Sequence, residues 1–292
     1  MGWTTSRLKF FLNMKIFIFG ATGLVGNYLF SFLKEKGHEV SGSSTRDIDN
    51  FSQFNFLKSK NNSFIKSVVE SFDLIINAVV INSKKVELYD YFDVIRVNSL
   101  FPQLLNWFTK SHNKKLINIS TDAIFSGNFN EELITEENLK DGTDKYSISK
   151  ILSELDSPNS INIRSSFLGY DRNIPSGLIY NLHKLKNGEV NVHDKYWHGC
   201  TNDQFSQFIE EVVCHPGKFN NLFKFKNFNF FPNPPLKNYN LFKLINSVFA
   251  LNLKLISSDN RQPSKVFSSD VDSLEFNVRD NLEDSLKKIR GK

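Results

Sequence analysis

Short apolar runs alternate with stretches of helical periodicity through the first half of the chain. Ile16-Phe17-Ile18-Phe19 is the first run, and Leu24, Val25, Tyr28, Leu29, Phe32 and Leu33 then recur at helical spacing. Gly37 is a good terminator for that helix. His38 to Ser44 reads as a second, less hydrophobic strand, and 51–72 as a polar stretch with a helical patch. Asp73 to Val80 is a strong buried strand, and Val86 to Lys110 is one long helix interrupted near Pro102. Lys115 to Ser120 is a strand, Tyr146 to Leu155 a helix, and Ser160 to Arg164 another strand. Strands alternating with helices predict an α/β fold with a doubly wound parallel sheet, which binds ligands at the carboxyl ends of its strands. From about residue 166 the pattern changes. Pro175-Ser176-Gly177 breaks the chain, helices recur near 176–187 and 202–214, and Pro232 to Pro235 makes a rigid turn. The alternation within 219–231 suits a strand. These features predict a sheet domain over 14–165 and a smaller mixed α/β lobe over 166–292, with the chain free to cross back.

Composition narrows the class. Of 292 residues, 40% are hydrophobic and 23% charged, which is globular. The formal charge of +5 is scattered, so it suits an anionic small molecule better than nucleic acid. Two cysteines and six dispersed histidines form neither a disulfide framework nor a metal motif. No apolar run reaches about 18 residues, so no membrane span is expected. Residues 1–13 lack a full secretory signal and are expected to lie outside the fold, as a disordered tail or an upstream-start artefact. A cytoplasmic protein is the expectation.

Three motifs carry chemistry. Gly20, Gly23 and Gly26 follow the first strand directly and open the first helix. That context favours a tight turn that brings backbone amides to a pyrophosphate at the helix start. Tyr146 and Lys150 lie four apart and share a helix face. An ammonium beside the phenol is expected to lower its pKa and make it an acid/base near neutrality. Read alone, the pair is equally two surface residues. Thr121 ends an apolar strand and is placed to hydrogen-bond a substrate carbonyl, or simply to cap the strand. After the second strand, Ser43-Ser44-Thr45-Arg46 favours NADP(H), since arginine suits a 2′-phosphate, while Asp47 keeps NAD(H) open.

Taken together, the motifs resemble an extended short-chain dehydrogenase/reductase, and within that group the dTDP-4-dehydrorhamnose reductase branch of sugar-nucleotide reductases. The matching pieces are GATGLVG at 20–26, INAVV at 76–80, VNSLFP at 97–102, ISTDAIFSG at 119–127, YSISK at 146–150 and INIRSSFLG at 161–169. In the second half, WHGCTNDQFSQFIEEVV at 197–213 and RQPSKVFSSD at 261–270 match more loosely. The resemblance implies a Rossmann-type domain. It implies Thr121, Tyr146 and Lys150 as the catalytic set, Lys150 also touching the cofactor ribose. Gly20, Thr22, Gly23, Leu24, Val25 and Gly26 would form the pyrophosphate loop, and Asn77 and Ala78 would flank the cofactor. Asp122, Trp197 and Arg261 fall on the substrate side. Ala123 stands where related dehydratases carry a glutamate, which argues against water elimination. The branch often has an aromatic there and an Arg-Pro pair where this chain has Arg261-Gln262-Pro263. The implied activity is NAD(P)H-dependent reduction of a nucleotide-linked 4-keto-6-deoxysugar for surface-polysaccharide precursors. The alternatives are an epimerase of the same superfamily or a non-catalytic regulatory subunit. A helix-mediated homodimer would be ordinary for the group.

Overall fold

A computed structural model describes residues 14–58, 62–127, 130, 132–269 and 276–291. The expectation for residues 1–13 lies outside them. The first half contains β1 (Lys15–Phe19), α1 (Leu24–Glu35), β2 (Glu39–Ser44), β3 (Ser52–Gln53), α2 (Asn62–Ser71), β4 (Leu74–Asn77), α3 (Tyr91–Ile95), α4 (Phe101–Ser111), β5 (Lys115–Ile119), β6 (Leu133–Ile134), α5 (Lys145–Ile151) and β7 (Ser160–Arg164). The second half adds β8 (Phe167–Leu168), α6 (Leu178–Lys184), β9 (Glu189–Asp194), β10 (Tyr196–Trp197), β11 (Cys200–Thr201), α7 (Asn202–Cys214) and α8 (Pro216–Leu222). It ends with β12 (Asn227–Asn229), β13 (Leu236–Lys237), α9 (Asn238–Phe249), β14 (Lys254–Arg261), β15 (Val266–Phe267) and α10 (Leu282–Gly291).

Seven parallel strands form the central sheet in the order β12-β7-β5-β4-β1-β2-β3. The strands read as apolar runs because both faces are covered. Ile16 and Ile18 face a core with Leu29, Leu33, Phe205 and Phe208, while Phe17 and Phe19 face Ile65, Phe101 and Leu105. The order reverses between β1 and β4, which sets the ligand crevice at their carboxyl ends.

The structure departs from the expected elements in three places. The apolar run at 74–80 leaves the sheet after Asn77, because Ala78 and Val79 pack their backbone against Gly20. The expected long helix breaks at Tyr89–Asp90, leaving Val86–Leu88 as a 3-10 turn, and then runs from Tyr91 through a π turn at Arg96–Leu100, upstream of Pro102. Pro102 lies in the first turn of α4, where its missing N–H is tolerated. The 219–231 stretch keeps only three residues as strand, since Pro216 starts a helix that runs to Leu222. That strand, β12, pairs with β7, so the sheet takes its edge from beyond residue 166.

One feature of the sheet has no counterpart in the hydrophobic pattern. Asn77, Asn118, Asn162 and Asn227 are register partners on four adjacent strands. Each amide donates to the next across the sheet, Asn77 to Asn118 at 2.9 Å, Asn118 to Asn162 at 3.0 Å and Asn162 to Asn227 at 3.0 Å. The ladder satisfies buried polar groups that would otherwise destabilise a core strand.

Candidate active site

Gly20 ends β1 with φ +79, a conformation that suits glycine. A Cβ there would lie 2.9 Å from the Ala78 carbonyl, and one at Gly26 would lie 2.3 Å from the Gly20 oxygen. The loop therefore packs backbone on backbone. Gly23 caps α1 without a side chain, so the first-turn amides of Leu24, Val25 and Gly26 have no intrahelical acceptor. This open, positively polarised helix start fits a pyrophosphate. Thr22 donates to Ser44 at 3.3 Å, tying the loop to the end of β2. Arg46 is exposed just beyond that strand, beside exposed Asp47. The second lobe closes over the helix start, with Asn202 donating to the Leu24 carbonyl at 2.7 Å and Asn27 to Asp171 at 2.9 Å.

The reactive side chains converge at the end of β5. Thr121 leaves the strand extended. Its hydroxyl donates to Asp122 at 3.2 Å and accepts from the Ala123 amide at 3.2 Å, so it caps the short 3-10 turn Asp122–Ile124. The Thr121 hydroxyl also lies near enough to the Tyr146 phenol to favour its ionised form. Asp144 caps α5, accepting from the amides of Tyr146 and Ser147 at 3.0 Å. One turn on, Lys150 is buried and donates to the Ile119 carbonyl at 3.0 Å. The structure thus brings Thr121, Tyr146 and Lys150 to one strand end, beside the glycine loop.

Electrostatics correct one expectation. Lys150 does not hold the Tyr146 phenol down. Burial pushes Tyr146 up to about 12, against the lowering effect of the Thr121 hydroxyl and with help from Asp122 and Asp144. Burial also pushes Lys150 down to about 8, partly offset by Glu154. At neutral pH the site presents a neutral phenol as proton donor beside a charged, readily titrated ammonium.

Supporting residues hold this set. Asn98, in the π turn, accepts from the Ile81 amide at 2.7 Å and donates to the Ile81 carbonyl and to Ser149, so it pins α5 to the end of β4. Glu154 is buried and receives Arg164 through two 2.8 Å bonds, Ser120 at 2.9 Å and Lys140 at 3.2 Å. Burial pushes the Glu154 carboxyl up, but its bonds to Arg164 and the charges of Arg164 and Lys140 leave it below the ordinary range. Arg164, 1% exposed, also donates to the Glu136 carbonyl at 3.1 Å. Neither Asn98 nor Glu154 stands out as reactive by spacing, although Asn98 falls within VNSLFP and Glu154 lies one turn after Lys150.

The remaining expected residues lie elsewhere. The Asn77 side chain is engaged in the amide ladder and by the Val79 amide, so its segment meets the crevice through backbone. Asp122 faces Lys265, whose ammonium donates to the Asp122 carbonyl at 3.2 Å and lies 3.8 Å from its carboxylate. Lys265 belongs to RQPSKVFSSD, and the sequence reading assigned it no role. Trp197 donates to Ser166 at 3.1 Å and packs on the core. Arg261 lines a cavity of about 200 Å³ with Asp194, Lys195, Tyr196, Lys237 and Ser264, and none of Thr121, Tyr146 and Lys150 borders it. Among the described residues no helix is long and apolar enough to cross a membrane.

Residues 16–157 match the model of the NAD dependent epimerase/dehydratase family. No curated protein matches the chain by sequence. Among solved structures the chain is similar to a dTDP-4-dehydrorhamnose reductase of Clostridium acetobutylicum ATCC 824, at 22% identity and TM-score 0.74 over 94% of this chain and 98% of that one. It is similar to the dTDP-4-dehydrorhamnose reductase of Bacillus anthracis str. Ames in complex with NADP, at 16% identity and TM-score 0.76 over 95% and 98%. It is similar also to UDP-glucose 4-epimerase of Thermotoga maritima with UDP-glucose, at 14% identity and TM-score 0.74 over 95% and 98%. These likenesses establish the fold.

Proposed function

We propose, from the match of residues 16–157 to the NAD dependent epimerase/dehydratase family, that this chain is an NAD(P)H-dependent reductase of a nucleotide-linked 4-keto-6-deoxysugar, of the extended short-chain dehydrogenase/reductase type. The observation that carries the reading is the convergence of Thr121, Tyr146 and Lys150 beside an uncapped helix start. When bound, the nicotinamide supplies the hydride. The loop amides of Leu24, Val25 and Gly26 would hold the pyrophosphate, and Lys150 would hold the ribose. Thr121 orients the substrate carbonyl. Tyr146, a neutral phenol at neutral pH, donates its proton to the carbonyl oxygen as the alcohol forms. Ala123 provides no acid/base for dehydration.

Arg46 supports NADP(H) over NAD(H), since its exposed guanidinium extends beyond β2 where a 2′-phosphate would lie. The Bacillus anthracis structure holds NADP and another solved neighbour, MoeE5, holds NAD, which supports a nicotinamide cofactor of one or the other kind. The product would enter surface-polysaccharide synthesis. The test is a screen of nucleotide-linked 4-keto-6-deoxysugars for NADPH oxidation, with product identification. Stoichiometric NADPH consumption and a reduced sugar are expected. Epimerised product with no net consumption would turn the reading to an epimerase, and no turnover of any kind to a binding subunit.

A further inference from the structure

At the opposite end of the sheet from the crevice, three side chains with no assigned role meet. His38 follows Gly37 in the turn between α1 and β2, while Glu210 and Cys214 lie one turn apart on α7. More than 170 residues separate His38 from the other two, so no motif joins them along the chain. In the fold, ligand atoms from all three lie within 4.8 Å of one another. Nε2 of His38 is 3.8 Å from Sγ of Cys214.

The arrangement is poorly satisfied as protein alone. His38 is only 6% exposed, and Oε2 of Glu210 is buried without a hydrogen-bond partner. The cation facing that oxygen is Arg279, 3.7 Å away on a side chain 68% exposed to water. A buried carboxylate oxygen without a donor is unfavourable unless something else meets its charge. One nitrogen, one oxygen and one sulfur ligand suit a borderline-soft divalent ion. Around a tetrahedral zinc ion, with bonds of about 2.1 Å to nitrogen and 2.3 Å to sulfur, those two atoms stand about 3.6 Å apart. The observed 3.8 Å needs little movement.

We propose that His38, Glu210 and Cys214 form a structural site for a zinc-class divalent cation. His38 binds through Nε2 and Glu210 through its carboxylate. Cys214 binds as thiolate, its proton passing to solvent, and water takes the fourth position. Binding displaces Arg279 from Glu210. The site's internal cost is Nδ1 of His38, which is buried and has no partner. β2 spans six residues, so the ion lies about 20 Å from the cofactor end of that strand and takes no part in its chemistry. It would fasten α7 to the α1–β2 turn.

The test is titration of chelator-treated full-length protein with Co²⁺, followed by competition with Zn²⁺. One equivalent of Co²⁺ with a thiolate-to-cobalt charge-transfer band is expected. Zn²⁺ should bleach that band and raise the melting temperature. Cys214→Ser should lose the band and the zinc-dependent shift, and Glu210→Gln should weaken binding at least tenfold while keeping the side-chain shape. Cys200→Ala, which changes the other cysteine, should retain the band. A wild-type protein without the band overturns the site, as does a band that survives Cys214→Ser. If Cys214→Ser does not fold, an unchanged Co²⁺ affinity in Glu210→Gln overturns it instead. None of these readouts involves NADPH oxidation, so the metal site and the reductase reading fail separately.

Discussion

In the central sheet, β7, β5, β4, β1 and β2 are each paired on both sides. Outside the central sheet, the strands meet only in pairs, β6 with β15, β8 with β11, β9 with β14 and β10 with β13. The sheet is assembled from continuous apolar runs joined by helices, and its strand ends are fixed by layers on both faces. The pairs join segments that lie far apart in the chain, such as Leu133 with Val266. The groups proposed to carry the chemistry, Thr121, Tyr146 and Lys150, which would need placing to a fraction of an ångström, sit on the sheet side. The cavity with Lys195, Lys237 and Arg261 lies outside the sheet, and none of Thr121, Tyr146 and Lys150 borders it.

Four experiments break or sharpen that contrast. The largest effect is expected of Tyr146→Phe, which should lower turnover by about 10² to 10⁴-fold while leaving NADPH affinity within about threefold. Steady-state rates and a fluorescence titration read the two numbers, and preserved turnover would take the acid away from the sheet. Glu154→Ala strands Arg164 in the interior and should reduce stability by about 3–5 kcal/mol in urea unfolding. A loss near zero would mean that the sheet side does not depend on this pair. The third is a pH profile. Lys150 is charged below about pH 8, so NADPH affinity should hold below that pH and decline as pH rises through it. Glu154→Gln removes the charge that raises Lys150, so its midpoint should move lower. A flat affinity from about pH 7 to 9 would detach Lys150 from the cofactor. The smallest change is expected of Asp171→Ala, which removes the bond to Asn27 and the one from the Asn173 amide and should cost about 0.5–1.5 kcal/mol. If it matched Glu154→Ala, the lobe would be as tightly built as the sheet.

The same contrast explains what could be read in the chain. Ser160 to Arg164 is strand in both readings because an apolar run between polar turns has few alternatives. The glycine loop and the Tyr146–Lys150 pair were legible because their spacing is local. Asn98, Lys265 and the asparagine ladder were not, since each works through a partner that periodicity does not identify. The phenol's pKa was misjudged for a related reason. Spacing shows that Lys150 is near, but burial, which decides the direction, is a property of the packed site. Two-residue strands such as β8 and β11 have no periodic signal at all.

The position of β12 bears on synthesis. β7 ends at Arg164, and the strand that covers its outer edge ends at Asn229. At about 5–20 residues per second, translation crosses that interval in roughly 3–13 s. Throughout it, the nascent sheet presents the backbone of β7 as an open edge. Shielding that edge on the ribosome, by slow growth at low temperature or by a holding chaperone, should therefore govern how much of this protein is recovered folded. Chains cut short before residue 227 would carry the open edge permanently and should aggregate.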